Sequence, residues 1–561
     1  MNKWQIILSN EDSTYGDHTC VAFPEGFEDI MYGLVRDSVF WGVFSEFAGT
    51  LRFIKDGKDW IDAVIDDLGY ENGSSIYFKK YSETNGQYET KKIATFDAES
   101  IIITQNYTEV GFLDSSFITK LRSRYEYSVE YNKSTTIDGT SVPGFSTPYI
   151  DLGLRGIAAE TNCRAIPPWE LFTSVIQQIT DSDYNCFSSL IFDRDVSGKF
   201  SQVMFANGWY VRGYDETEHP FNISLKFLFK EFSKLVPLGL KVVYDDNDRE
   251  IVYIGLRNEL FIESVVYTFP KDRVLKGMVK EPCKEFMFNK IKAGYANEVK
   301  ENDIGLSEFN VKTEYSTPII SFNNELNIIS DIRADGTGIE DCRVNYAKES
   351  GDDTSESEYD DSIFIIDSVE DGSDWVSRKL ENIQNSGSAY IYGGLELYFN
   401  IRFTPAHNVL AYGEYIGVGL QNKTEEQIKI LMHEKLSSEF QSQWVDDSDV
   451  VYENTDISIA RLATPIFSPH IYRFNCPIEL DDLADLESSL EGLIKFYSPI
   501  DSAWKYGYIE KDISTSPIDT KTNVNLYEAL SFDELFGCLL LFTGGYLRLF
   551  SGGRIKLFGN G

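Results

Sequence analysis

The sequence predicts an α+β fold, a strand-dominated multidomain protein with a few amphipathic helices. Three observations carry this reading. The chain has 561 residues, room for three or four domains of ordinary size. Hydrophobic residues make up 42% of it and aromatic residues 14%, enough to build real cores despite a formal net charge of −38. Runs of β-branched and aromatic residues at roughly period two recur along the chain, whereas helical periodicity appears in only a few windows.

Residues 1–150 read as a β-rich N-terminal domain with one helix. The stretch 39–54 has strand composition, and Trp60, Ile61, Val64, Ile65 and Leu68 share one face of a helix over Lys58–Leu68 that stops at Gly69. Strands at 75–81 and 88–95 are joined around Asn85-Gly86, a hairpin-turn dipeptide. Residues 151–262 read as an α+β domain. One helix covers Pro168–Thr180, with Pro at its first turn. A second covers Ser224–Val236, with Ser224 as N-cap and Pro237 and Gly239 as the stop. A hairpin of Leu240–Tyr244 and Glu250–Ile254 follows.

Residues 263–420 read as a β-rich domain with an acidic loop, 349–374, which holds eleven acids and no Lys or Arg. The loop is expected to be exposed and interrupted by one short strand, Ser362–Ile366. Residues 421–561 read as an α+β C-terminal domain ending in a hairpin. A helix over Glu425–Phe440 would start in a Thr424/Gln427 capping box, and another is expected near 480–494. In the terminal hairpin, 546–550 and 554–558, Leu547 and Leu549 would share a face with Ile555 and Leu557.

Charge and composition exclude several function classes. The balance of 51 Lys+Arg against 89 Asp+Glu argues against an extended nucleic-acid surface or docking on anionic lipid. Seven scattered cysteines with no CxxC form neither a disulfide framework nor a zinc ribbon, and fit buried thiols of a protein made in a reducing cytoplasm. The apolar run Trp4–Leu8 is too short for a signal peptide, so no export address and no membrane insertion are expected.

Motifs for catalysis are weak. Of five histidines, His433 opens His433-Glu434-Lys435-Leu436-Ser437, which has Ser where a zinc helix needs its second His. Asp193-Arg194-Asp195-Val196-Ser197-Gly198 resembles the opening of a calcium loop, but Met204 stands where the bidentate acid belongs. Gly57-Lys58 and Gly198-Lys199 lack the hydroxyl of a P-loop, and no G-x-S-x-G is present. Asn207-Gly208-Trp209-Tyr210 is the most site-like aromatic pair for a sugar cleft, against an ordinary core role. No catalytic residue, no cofactor-binding residue and no metal ligand is assigned, and the chain is not expected to be an enzyme.

Four stretches resemble virion tail proteins of tailed phages of Bacteroides-type hosts, including the crAss-like group. They are Arg36-Asp37-Ser38-Val39-Phe40-Trp41-Gly42-Val43-Phe44-Ser45-Glu46 with Leu51-Arg52-Phe53; Asn207–Arg212 leading to Gly239–Tyr244; Lys505-Tyr506-Gly507-Tyr508-Ile509-Glu510; and Gly553–Asn560. The resemblance implies a structural subunit of the virion tail, made in the host cytoplasm: a tail hub, baseplate or collar ring. Its partners would be copies of itself in a ring and other tail or portal-proximal proteins, with passive contact to translocating DNA. The alternative is a glycan-binding or glycan-degrading protein, supported by aromatic and acidic abundance.

Overall fold

The computed structural model describes residues 4–556 except 11, 13, 71, 83–85, 115–116, 132–135, 138–139, 142–148, 156–159, 195, 216–217, 248, 274–276, 297–311, 335, 349–356, 358, 378–402, 434–442, 446–450, 454–455, 478–485, 487–489, 516–520, 531–545 and 549–553. Strands dominate and helices are few and short, so the strand-dominated α+β architecture is as the sequence predicts. Among the described residues no helix is long and apolar enough to cross a membrane.

The largest sheet has 13 described strands and draws on both ends of the chain. Met31–Arg36 pairs on one side with Val43–Phe53 and on the other with Ala503–Thr515, with Leu34 opposite Ile513. Beyond Val43–Phe53 lie Thr108–Asp114, Gln87–Ile103, Ser75–Ser82 and Trp4–Ser9. Beyond Ala503–Thr515 lie Lys521–Ala529, Phe467–Pro477 and the edge strand Val279–Pro282. Two five-stranded sheets complete the scaffold. One runs from Thr161–Ala165 through Ile363–Asp371 to Val203–Asn207. The other runs from Glu325–Ser330 through Thr313–Ser316 to Ile457–Ser458.

Three hydrophobic clusters fill the spaces between these layers. The first surrounds the helices Pro168–Thr180 and Leu225–Ser233. The second joins the N-terminal strands to Phe474, Phe496, Ile509 and Val524 of the C-terminal strands. The third packs Leu260, Phe286, Tyr415, Phe467 and Tyr527 together. Both helices of the first cluster form where periodicity puts them. Ser224 accepts a hydrogen bond from the Phe227 N–H at 3.2 Å, which supplies an orphan amide of the first turn with a partner. The helix Lys55–Leu68 buries Ile61, Val64 and Ile65, while Leu68 at its end turns outward.

The structure corrects several expectations. Gln427–His433, inside the expected helix 425–440, is a strand paired with Thr313–Ser316. Ile428 is buried and Leu431 exposed, so strand pairing overrides the capping-box signal. His433 ends that strand, and 434–442 lie outside the described residues. Leu493–Ser498, at the end of the other expected helix, is also a strand, and most of 480–489 lies outside the described residues. In the acidic segment, Ile363–Asp371 and Asp374–Ser377 form a hairpin inside a five-stranded sheet, longer than the expected short strand. Asp360 and Asp367 are buried there, not solvated, and 349–356 lie outside the described residues. In the terminal hairpin Tyr546–Arg548 pairs with Arg554–Lys556, while 549–553 and 557–561 lie outside the described residues.

One close approach fixes the second resembling stretch. Asn207 caps a helical turn, Gly208–Val211, by accepting from the Tyr210 N–H, and a Cβ on Gly208 would overlap the Tyr359 carbonyl. Replacing Gly208→Ala is therefore expected to destabilise the fold by about 2–3 kcal/mol, because the obstacle is backbone. Urea unfolding of the variant checks this, and a change within about 0.5 kcal/mol would contradict the packing described.

Candidate functional site

The turn 37–42 is the point where the three hydrophobic clusters meet. Asp37 shapes it: its Oδ1 accepts from the Val39 and Phe40 N–H groups at 2.7 and 2.8 Å. Trp41 sits in the left-handed region at φ 64°, an unfavourable conformation for a residue with a Cβ. Gly42 follows where a Cβ would overlap the Leu240 carbonyl. The turn then feeds every core at once. Phe40 enters the first cluster, Leu34 and Val43 the second, and Trp41 packs on the third.

Two buried arginines tie the turn to its surroundings. Arg36, only 7% exposed, donates from Nε to the Ile509 carbonyl at 2.6 Å and from Nη1 to the Trp41 carbonyl at 2.5 Å. Its guanidinium carbon lies 4.5 Å from the Phe261 ring centre, and Nη2 is buried without a hydrogen-bond partner. Among the described residues no carboxylate forms an ion pair with it. Burial pulls its pKa below the usual guanidinium value, while Tyr527, Tyr415, Glu491 and Glu285 act the other way. Arg257 lies over the Trp41 ring at 4.0 Å and over Tyr415 at 5.1 Å. A buried cation without a counter-ion is costly. Charge-assisted hydrogen bonds of about 1.5–3 kcal/mol each and ring faces worth about 2 kcal/mol when desolvated offset that cost.

Three of the four resembling stretches converge here. Arg36–Gly42 meets Lys505–Glu510 through Ile509, and Gly239–Tyr244 through the Leu240 N–H donating to the Phe40 carbonyl at 2.9 Å. The fourth stretch lies partly outside the described residues. Arg257 and Tyr415 carry no sequence signal and are found only in three dimensions.

Beside the junction opens a pocket of about 440 Å³, lined by Glu259, Glu263, Glu414, Phe261, Ile466 and Tyr508 among others. Glu414 accepts from Asn258 Nδ2 at 3.1 Å and Glu259 from the Tyr253 hydroxyl at 2.5 Å. Burial raises the Glu414 carboxyl above its ordinary pKa, and the Asn258 hydrogen bond only partly opposes it.

The motifs singled out in the sequence fall elsewhere. Trp209 is covered by His219, stacked at 3.6 Å, and by the Arg212 guanidinium at 4.8 Å. Arg212 in turn forms a buried ion pair with Asp360 at 2.6 Å. The pair Trp209-Tyr210 therefore packs against its own chain. In the calcium-like stretch the Gly198 N–H donates to the Asp193 carbonyl at 2.8 Å, and residue 195 lies outside the described residues. Among the described residues no three His, Cys, Asp or Glu side chains are placed to hold a metal ion.

Two variants test this geometry. Trp41→Ala is expected to cost about 3 kcal/mol, while Val39→Ala, on an exposed position of the same turn, should stay within about 0.5 kcal/mol; urea unfolding of both checks the contrast. Glu414→Gln probes the raised carboxyl. An acid raised in the folded state contributes stability below its ordinary pKa of 4.5 and loses it as pH rises through the folded value. The variant should therefore match or exceed the parent at neutral pH and show a flatter stability profile as pH rises above about 4.5. A profile identical to the parent's would contradict the burial of this carboxyl.

No family model matches the chain, and no curated protein matches it. Among solved structures, it is similar to the prophage tail protein gp18 from Listeria monocytogenes, at 8% identity over 96% of this chain and 98% of that one, with a TM-score of 0.34. It is similar to the prophage MuSo2 tail protein from Shewanella oneidensis, at 6% identity over 94% and 98%, with a TM-score of 0.35. A Francisella PdpA–VgrG complex matches at 12% identity over 71% of this chain and 53% of that one, with a TM-score of 0.26. Structural neighbours of the chain thus include tail proteins of prophages, at TM-scores that leave the argument about this chain to its own residues.

Proposed function

We propose that the chain is a non-catalytic structural subunit of a phage virion tail, at the level of a hub, baseplate or collar ring. The observation that carries this reading is the convergence at the Arg36–Trp41 junction. The stretches by which the sequence resembles tail proteins hold the two ends of the chain together, rather than surrounding a reactive group. A ring component must resist load without separating, and a sheet knitted from both chain ends suits that demand. In this proposal the segments 1–150, 151–262, 263–420 and 421–561 are the modules, with the first and last sharing one sheet. Copies form a homo-oligomeric ring and contact other tail or portal-proximal proteins. The net charge of −38 keeps free subunits soluble, and acids facing the hole would repel passing DNA.

Light scattering of the purified full-length chain, with negative-stain images of the same peak, tests the proposal. A closed ring is expected, alone or on mixing with other tail proteins. Deleting 546–561 should lower assembly while leaving the unfolding transition of the remaining chain unchanged. A compact monomer that never assembles would overturn the reading.

The pocket supplies one observation for a second reading, glycan hydrolysis: the half-buried Glu414 carboxyl stands with the exposed Glu263 in one cavity. Release of reducing sugar from a Bacteroides-type surface polysaccharide, lost in Glu414→Gln, would favour it.

A further inference from the structure

We propose that the C-terminal hairpin of one copy seats a basic side chain in the acidic pocket of a second copy. The proposal rests on the self-assembly reading above and names the surfaces that would meet.

The donor is unusual within this sequence. In a chain of net charge −38, residues 535–561 contain no Asp or Glu and carry Arg548, Arg554 and Lys556. The strand register sets Tyr546 opposite Lys556 and Arg548 opposite Arg554. The three basic residues therefore occupy register positions of one parity.

The acceptor is complementary. The pocket presents Glu259, Glu263 and Glu414, and among the described residues its lining includes no Lys, Arg or His. Glu259 and Glu414 accept from neutral donors, Tyr253 and Asn258, and among the described residues none of the three has an ion-pair partner. Several carboxylates elsewhere in the body are matched by cations of the same chain, as Asp360 is by Arg212, Glu528 by Lys505 and Asp501 by Lys280. Asn258 Oδ1 is also buried without a partner next to Glu414, an acceptor left for a further N–H donor. Phe261, Ile466 and Tyr508 give the cavity apolar walls, which suit the methylene stem of Lys or Arg as the carboxylates suit its head. Hairpin and pocket are different surfaces of one chain, so their contact is heterologous, the kind that closes into a ring when the rotation allows.

The test uses the full chain. Equal amounts of 15N-labelled and unlabelled protein are assembled and treated with a carbodiimide, which joins amines to adjacent carboxylates. A cross-link from Lys556 to Glu259 or Glu263 is expected, with mixed-isotope pairs present. In parallel, Glu259→Lys with Glu263→Lys should raise the dissociation constant of assembly by about tenfold or more. Arg548→Glu with Arg554→Glu should do the same, and mixing the two charge-reversed proteins should restore association to within about threefold. Assembly that proceeds without this cross-link, or with same-isotope pairs only, would overturn this inference and leave the ring reading standing. A chain that stays monomeric at every concentration would overturn both.

Discussion

The structure depends on a buried cation held by backbone rather than by a counter-ion. Arg36 spans from the Trp41 carbonyl of its own turn to the Ile509 carbonyl near the other end of the chain. Those two hydrogen bonds reinforce the ladder between Met31–Arg36 and Ala503–Thr515, through which the largest sheet continues from one chain end into the other. The stacking of Arg257 on Trp41 adds the middle of the chain to the same knot. A guanidinium suits this position because it stays charged when buried and can donate in plane while offering a face to an aromatic ring. Lysine could not do both.

This geometry explains why a turn of six residues is so constrained. Asp37 must cap, Trp41 must accept a left-handed backbone, and Gly42 must leave room for Leu240. Each requirement is local, yet its purpose is remote, because Phe40, Trp41 and Val43 enter three different cores. Strain at such a position persists only where the surroundings over-determine it. A protein whose cores share one turn should resist separation of its parts.

The legibility of the sequence follows the same division between local and remote. The helices at 168–180 and 225–233 were readable because the spacing of Phe172, Val175, Ile176 and Ile179, and the cap at Ser224, are written within a few turns. The strand Gln427–His433 was not, since its state is decided by pairing with Thr313–Ser316, more than a hundred residues away. The segments Arg36–Glu46, Gly239–Tyr244 and Lys505–Glu510 stood out individually as resembling tail proteins, but nothing in their composition shows that they touch. Arg257, Asn258 and Glu414 gave no signal at all, because a buried arginine or a pocket glutamate looks in sequence like any surface charge. The solvated reading of the acidic segment failed for a related reason: Asp360 is buried by its ion pair with Arg212, 148 residues distant.

Hydrogen exchange followed by mass spectrometry, comparing the parent with Trp41→Ala under native conditions, tests the junction most directly. If the turn holds the cores together, protection should fall not only at 36–43 but also across 238–244 and 503–515, which are remote in sequence and joined to it in space. Loss of protection confined to residues 36–43, with the distant strands unchanged, would contradict the account.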